Sequence, residues 1–162
     1  MTPPRNGYGV LLVASLLWTV GTVAAPILHH HHADTSALAA RLFYAPVCHQ
    51  DAPRSQHLFG YPISVCHRCG GIYLAFTLTV ALFPFFRGRF RAASFSPVRG
   101  AIFIVPMFLD YMLDVAGVWT NDALTRTVTG FIGGSGLALF VVPAWTEAWC
   151  QIFGRITNHQ PE

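Results

Sequence analysis

Four long apolar segments constrain this chain more than any other feature of its sequence. They cover residues 8–28, 70–86, 100–119 and 128–149. A helix needs roughly 17 to 25 predominantly apolar residues to cross a bilayer, and each segment has about that length. Because backbone groups inside lipid must bond to one another, the segments predict helices rather than separate strands. The sequence therefore predicts an all-α integral membrane bundle of four transmembrane helices, forming a single domain over residues 1–162.

The composition supports a membrane protein and argues against a nucleic-acid-binding protein. The chain is 53% hydrophobic and 10% charged, whereas soluble globular domains carry about 25% charged residues. Its basic residues are all arginines, and they form no basic-aromatic pattern of the kind that binds nucleic acid. We therefore expect the lipid bilayer as partner and no nucleic acid, with a homo-oligomer left open.

The placement of the arginines predicts the orientation. Loops rich in arginine stay in the cytoplasm, and the connection 87–99 holds four arginines: Arg87, Arg89, Arg91 and Arg99. Both termini would then be cytoplasmic, while the long Cys/His loop 29–69 and the short loop 120–127 would face outside. Because the bilayer core is about 30 Å thick, Cys150 would lie on the opposite face from the other three cysteines.

The first apolar segment and the histidine run that follows it each allow two interpretations. The segment resembles a cleaved signal peptide, since Arg5 precedes it and residues 23–25 resemble a cleavage site, but its apolar stretch is longer than a usual signal core. The histidine run 29–32 is interpreted as a solvated stretch at the membrane interface. A low-affinity site that gathers soft or borderline metal ions is the alternative.

Three cysteines and a neighbouring histidine form the main candidate site. Cys66 and Cys69 make a C-x-x-C motif, which places two sulfurs on one turn at the amino end of the second apolar helix. The helix terminus and Arg68 both favour thiolate over thiol, and thiolate is the form that binds metals. Three cysteines with one histidine are a familiar closed zinc set. The predicted ligands of a zinc ion are Cys48, His49, Cys66 and Cys69, with His57 and His67 as substitutes for His49.

Two other interpretations use the same sulfurs. In a membrane thiol–disulfide oxidoreductase, Cys66 or Cys69 would be the nucleophile, Cys48 the resolving thiol and a quinone the electron acceptor. This arrangement resembles the quinone-linked enzymes that reoxidise periplasmic disulfide donors, although those enzymes use a second cysteine pair in their outer loops. The third interpretation is a structural disulfide among the three cysteines in an oxidising compartment. Whether the chain is an enzyme stays open.

Two aspartates fall inside the third apolar segment. Asp110 and Asp114 are four residues apart and share one helix face, and an unpaired aspartate in the membrane costs several kcal/mol. Asp114 is expected in the same leaflet as the cysteines, either supporting their site or pairing with Arg126. Asp110 is expected to join it in an interior polar network. A small ion or metal transporter that uses both aspartates is a further alternative. The polar residues expected to support the site are Arg54, Arg68, Asp114, Asn121 and Arg126.

Small residues open the fourth apolar segment and predict close helix packing. Glycines let helices approach one another, and we expect this stretch to pack against the third helix and hide the aspartates from lipid. The glycines concerned are Gly130, Gly133, Gly134 and Gly136.

At these residues the sequence resembles a family of small bacterial multi-pass membrane proteins catalogued as a transmembrane domain of unknown function. The signature is Cys-His-Gln, Pro-x-Arg-Ser and C-x-R-C-x-G-I-Y, then Leu-Asp followed by Thr-Asn, Arg and Thr-Gly. Two positions depart from it, with His67 in place of a small residue and Gly70 in place of threonine. The resemblance implies a protein of the bacterial inner membrane with no established reaction. The matching positions are Cys48, His49, Gln50, Pro53, Arg54, Ser55, Cys66, Arg68, Cys69, Gly71, Ile72, Tyr73, Leu113, Asp114, Thr120, Asn121, Arg126, Thr129 and Gly130.

Overall fold

The computed structural model describes residues 5–90 and 97–157, and these form a mostly helical protein with one small sheet. A short 3₁₀ turn, Ala52–Arg54, precedes the sheet. Of the predicted basic loop, residues 87–90 continue one helix and 97–99 begin the next, while residues 91–96 lie outside the described residues. The elements in chain order are α1 (Arg5–Gly21), α2 (Ala24–His30), α3 (Asp34–Tyr44), β1 (Ser55–Leu58), β2 (Tyr61–Cys66), α4 (His67–Phe90), α5 (Pro97–Val115) and α6 (Ala123–Thr157).

The first apolar segment is two helices rather than the single helix 8–28 that the sequence predicts. α1 and α2 meet at a break that bends them by 44°. The physical reason is Pro26, which has no N–H to donate to the carbonyl of Thr22, four residues earlier. The Ser64 N–H of β2 donates to that carbonyl instead, at 2.9 Å. The break is therefore closed by a strand that comes much later in the chain.

The predicted loop 29–69 contains a helix and a β-hairpin, so the prediction of an all-α chain missed a sheet. β1 and β2 pair antiparallel, with Leu58 opposite Tyr61. The two residues between the strands, Phe59 and Gly60, both have positive φ, at 55° and 81°. Two consecutive residues with positive φ are what a tight type I′ hairpin turn requires. The hairpin then leads directly into α4.

Two helices are long and apolar enough to cross a membrane on their own, within the described residues. They are His67–Phe85 of α4 and Ala123–Ile152 of α6, and the bent pair α1–α2 makes a third if it crosses as one unit. α5 ends at Val115 instead of residue 119, because Gly117 adopts a φ of +67° and stops the helix. The Gly117 N–H donates to the carbonyl of Asp114, and the Val118 N–H donates to the carbonyl of Leu113, as in a Schellman cap. Four spans therefore stay a prediction.

Glycines bring α6 close to both of its neighbouring helices. Gly130 and Gly134 lie against α4, where an added Cβ would collide with a backbone carbonyl. Gly133 and Gly136 lie against α5 instead. The predicted contact with the third apolar helix is thus right for two of these glycines and wrong for the other two. α6 packs between α4 and α5, and this packing positions the polar residues at its amino end.

Candidate metal centre

Three cysteines converge where the hairpin meets α4. The sulfurs of Cys48, Cys66 and Cys69 all lie within 4.8 Å of one another, and all three are free thiols. Zinc–sulfur bonds of about 2.3 Å in a tetrahedral site place neighbouring sulfurs about 3.8 Å apart. The three sulfurs therefore fit around one metal ion with small side-chain adjustments. Among the described residues, the group contains no histidine or carboxylate.

A loop, a strand and a helix supply the three sulfurs. Cys48 follows α3, and its N–H donates to the carbonyl of Tyr44 at 3.0 Å, which winds the chain back after the helix. Cys66 is the last residue of β2, and Cys69 lies in the first turn of α4. The Cys66 N–H donates to the Cys48 sulfur at 3.2 Å. This hydrogen bond ties the end of β2 directly to the segment that carries Cys48.

Gln50 holds the Cys48 segment against the hairpin. Its side-chain Nε2 donates to the carbonyl of Arg41 at 2.6 Å and to the carbonyl of Ser64 at 2.8 Å. Its own φ is 54°, a left-handed conformation that turns the chain sharply after the Cys-His pair. The sequence reasoning gave Gln50 no role beyond membership of a motif. Its position two residues after Cys48 indicated that it lies near the cluster. The spacing of residues along the chain does not predict which carbonyls its side chain contacts.

Apolar side chains seal one side of the cluster. Cys48 is 5% exposed and packs in a buried group with Tyr44, Ile63 and Val65. The Tyr44 hydroxyl donates to the carbonyl of Trp18 in α1 at 2.7 Å. This wall keeps water from one side of the sulfurs, and it joins the cluster to the first apolar segment.

The cluster itself promotes ionisation of one sulfur. Hydrogen bonds from Cys48 and then from Cys69 lower the pKa of the Cys66 thiol far below its ordinary value, and burial opposes the shift less strongly. Cys66 also immediately precedes α4, whose amino end carries partial positive charge. The thiolate that results is the form that binds metals and attacks disulfides.

The histidines and Arg54 that were predicted to complete the site differ in their exposure to solvent. His49 and His57 are exposed, while the Nδ1 atom of His67 is buried without a hydrogen-bond partner. His49 as the fourth ligand stays a prediction. Arg54 is exposed and pairs with Asp51 at 3.3 Å. Cys150 is exposed and outside the cluster, in the carboxyl-terminal part of α6. In the same part of α6, the Trp145 Nε1 donates to the carbonyl of Gly7.

The two aspartates of α5 belong to a separate network of paired charges. Asp110 pairs with Arg68 of α4, and Asp114 pairs with Arg126 of α6 at 3.4 Å. The Asn121 Nδ2 donates to the Asp110 carboxylate at 3.0 Å, and Asn121 accepts a hydrogen bond from Arg126. All four charged side chains are at most 19% exposed. Asp114 thus pairs with Arg126, one of the two arrangements that the sequence predicted. Arg68, which lies between Cys66 and Cys69 in sequence, links this network to the cysteine cluster.

Comparison with known proteins decides the family. Residues 48–140, more than half of the chain, match the family described as "Predicted membrane protein (DUF2085)". The chain belongs to this family. The matched region begins at Cys48 and contains both the cysteine cluster and the charged network.

Two relatives come from archaea. An uncharacterized protein of Methanocaldococcus jannaschii, MJ1492, is 24% identical over 148 residues, covering 88% of this chain and 95% of the relative. An uncharacterized protein of Methanothermobacter thermautotrophicus is 32% identical over 96 residues, covering 57% of this chain and 82% of the relative. These relatives do not support the bacterial source that the resemblance implied. No solved structure matches the chain.

Proposed function

We propose that this membrane protein binds a metal ion, most simply zinc, through Cys48, Cys66 and Cys69. The observation that carries the proposal is the approach of three sulfurs, from a loop, a strand and a helix, to within 4.8 Å of one another. Thiolate ligands suit zinc and other thiophilic ions better than magnesium or calcium. A closed zinc site has four ligands, and His49 is proposed as the fourth because it adjoins Cys48 and has an exposed ring.

The proposal includes four membrane crossings, with α5 as the fourth. α5 exposes large apolar side chains, among them Ile102 at 64%, Ile104 at 56% and Phe108 at 56%. The side chain of Asp110 on the same helix is 8% exposed. Apolar side chains facing outward and charges facing inward are the pattern of a helix in lipid. Both termini and the segment 87–99 are then cytoplasmic, and the cysteines face the outside of the cell membrane.

The same cysteines also suit a thiol–disulfide oxidoreductase, which is the competing function. There Cys66 or Cys69 would attack a partner disulfide, since both are half-buried while Cys48 is 5% exposed. Cys48 would then resolve the mixed disulfide, which leaves two thiols on the partner and a disulfide in the cluster. A quinone would accept electrons only in the reverse direction, in which the cluster disulfide oxidises two partner thiols and the reduced cluster passes two electrons to the quinone. A transporter that uses Asp110 and Asp114 finds less support, because both carboxylates are already paired with arginines.

Metal analysis of the purified protein, paired with a thiol count, tests the proposal. We expect about one zinc ion per chain, with Cys150 reactive before chelation and the other cysteines reactive only after it. Cys48→Ser and Cys66→Ser should lose the metal, whereas Cys150→Ser is the matched control and should keep it. A protein without metal and with a disulfide in the cluster would contradict zinc binding.

A Cys48→Ala variant that traps a mixed disulfide with another protein would favour the oxidoreductase. Loss of metal in His49→Ala supports the fourth ligand.

A further inference from the structure

The second half of α3 exposes an apolar face that no described residue covers. Leu38 is 58% exposed, Leu42 is 61% exposed and Phe43 is 63% exposed. The opposite face is buried, with Ala37 at 4% and Tyr44 at 3%. Asp34, a threonine and a serine form the polar first turn of α3. Arg41, in the last turn, is half-buried and donates to the carbonyl of Gln50 at 3.4 Å. The helix is thus polar at its amino end and apolar on its exposed side towards its carboxyl end.

The position of α3 follows from the helices before it. Only three residues separate α2, which ends at His30, from α3, so α3 begins within about 14 Å of the end of α2. α3 then runs back along α2 towards α1. At its carboxyl end the Tyr44 hydroxyl donates to the carbonyl of Trp18 at 2.7 Å, and the rings of Phe43 and Trp18 are 5.5 Å apart. The end of α3 therefore lies level with Trp18, before the end of α1.

Trp18 belongs to a helix whose outward face is apolar. Its sequence neighbour Leu17 is 70% exposed, and Val20 is 64% exposed. These side chains belong to the bent helix pair that is long and apolar enough to cross a membrane as one unit. Through the contact between Phe43 and Trp18, the exposed face of α3 continues this apolar surface.

We propose that the last two turns of α3 lie in the bilayer interface, with Leu38, Leu42 and Phe43 contacting lipid. The partner of this face is the lipid of the leaflet that adjoins the cysteine cluster. Interfacial helices bury an apolar face about 5–10 Å deep while their polar residues stay hydrated, and the polar first turn of α3 fits this arrangement. Cys48, which follows α3 closely, is thereby held at the level of the lipid headgroups. The proposal rests on membrane insertion of α1, with the bilayer surface near the level of Trp18 and α2 above it, and it does not depend on metal binding.

Photo-crosslinking in lipid nanodiscs tests this placement. A benzophenone amino acid is introduced in place of Leu42 or of Thr35. These residues are seven apart, share one exposed face and lie about 10 Å apart along the helix. We expect lipid adducts from position 42 and none above background from position 35, detected by intact mass. The native cysteines stay unchanged, so the metal analysis is unaffected.

Each other outcome overturns the proposal. Equal lipid adducts at both positions, or none at position 42, would show that the face is not selectively in lipid. A crosslinked dimer from position 42 would show that a second copy covers it. Leu38 provides a second apolar position in case the replacement at Leu42 unfolds the protein. Size-exclusion elution and thermal stability verify that each labelled protein is folded.

Discussion

Replacing Asp110 with asparagine tests the charged network that joins α4, α5 and α6. The Asp110 carboxylate accepts hydrogen bonds from Arg68, from Asn121 at 3.0 Å and from Thr129 at 3.4 Å. Its side chain is 8% exposed, so water cannot replace these partners readily. Asp110→Asn keeps the shape but removes the negative charge, and leaves the Arg68 guanidinium buried without a counter-ion.

The expected cost follows from the two strongest contacts. A hydrogen bond that involves a charged group contributes about 1.5–3 kcal/mol, and removing one partner of a buried ion pair costs about 3–5 kcal/mol. We expect Asp110→Asn to lower the free energy of unfolding by about 3–5 kcal/mol. Asp51→Asn is the control, because Asp51 pairs with Arg54 at 3.3 Å while both side chains are at least half exposed. That exposed pair should be worth less than about 1 kcal/mol.

The measurement is an equilibrium unfolding titration in mixed micelles, followed by circular dichroism and tryptophan fluorescence. High salt should weaken the exposed pair of Asp51 and leave the buried pair of Asp110 almost unchanged. If Asp110→Asn is as stable as the parent protein to within about 1 kcal/mol, or no less stable than Asp51→Asn, the network does not carry the stability that we assign to it.

Two further predictions concern helix packing and the cysteine segment. Gly134→Ala should cost about 1–3 kcal/mol by overpacking, because the new Cβ would collide with the Ile72 backbone. Gly133→Ala should be tolerated, since its nearest neighbour is the flexible Met107 sulfur at 3.4 Å, and equal unfolding midpoints for the two variants would argue against this packing. Gln50→Ala removes both bonds that hold the Cys48 segment, so zinc affinity should fall about 10- to 100-fold in a chelator competition; unchanged affinity would contradict that role.

The apolar pattern predicted most of the helices, because apolar length is a local property of the chain. Its errors also have local causes. The break before α2 comes from Pro26, which is visible in the sequence, but an apolar window averages over a single proline. α3 was missed since its exposed apolar residues and polar first turn give no long apolar run. Gly117 ended α5 before its apolar stretch ended.

The candidate site was predictable to the extent that the chain keeps its parts close together. The C-x-x-C motif fixed the neighbourhood of Cys66 and Cys69, and a loop cysteine was a natural third member. The partner of Arg68 was not predictable in this way. Arg68 pairs with Asp110, 42 residues away, a partner that its sequence neighbours do not indicate. Which of several charges a side chain meets depends on how the helices pack, and one sequence does not contain that information in a local form.

The break between α1 and α2 has a consequence for how the protein is made. The carbonyl of Thr22 cannot be satisfied by Pro26, and its donor is the N–H of Ser64. During synthesis the first apolar segment leaves the ribosome before that donor exists, and α2, α3 and β1 must all be translated in between. Until the hairpin forms, that carbonyl lacks its donor, and an unpaired backbone group is costly wherever hydrocarbon surrounds it. Closure of the break and docking of the strand that carries Cys66 therefore become one late step of folding, so deletions in the hairpin should disturb the α1–α2 break as well as the cysteine cluster.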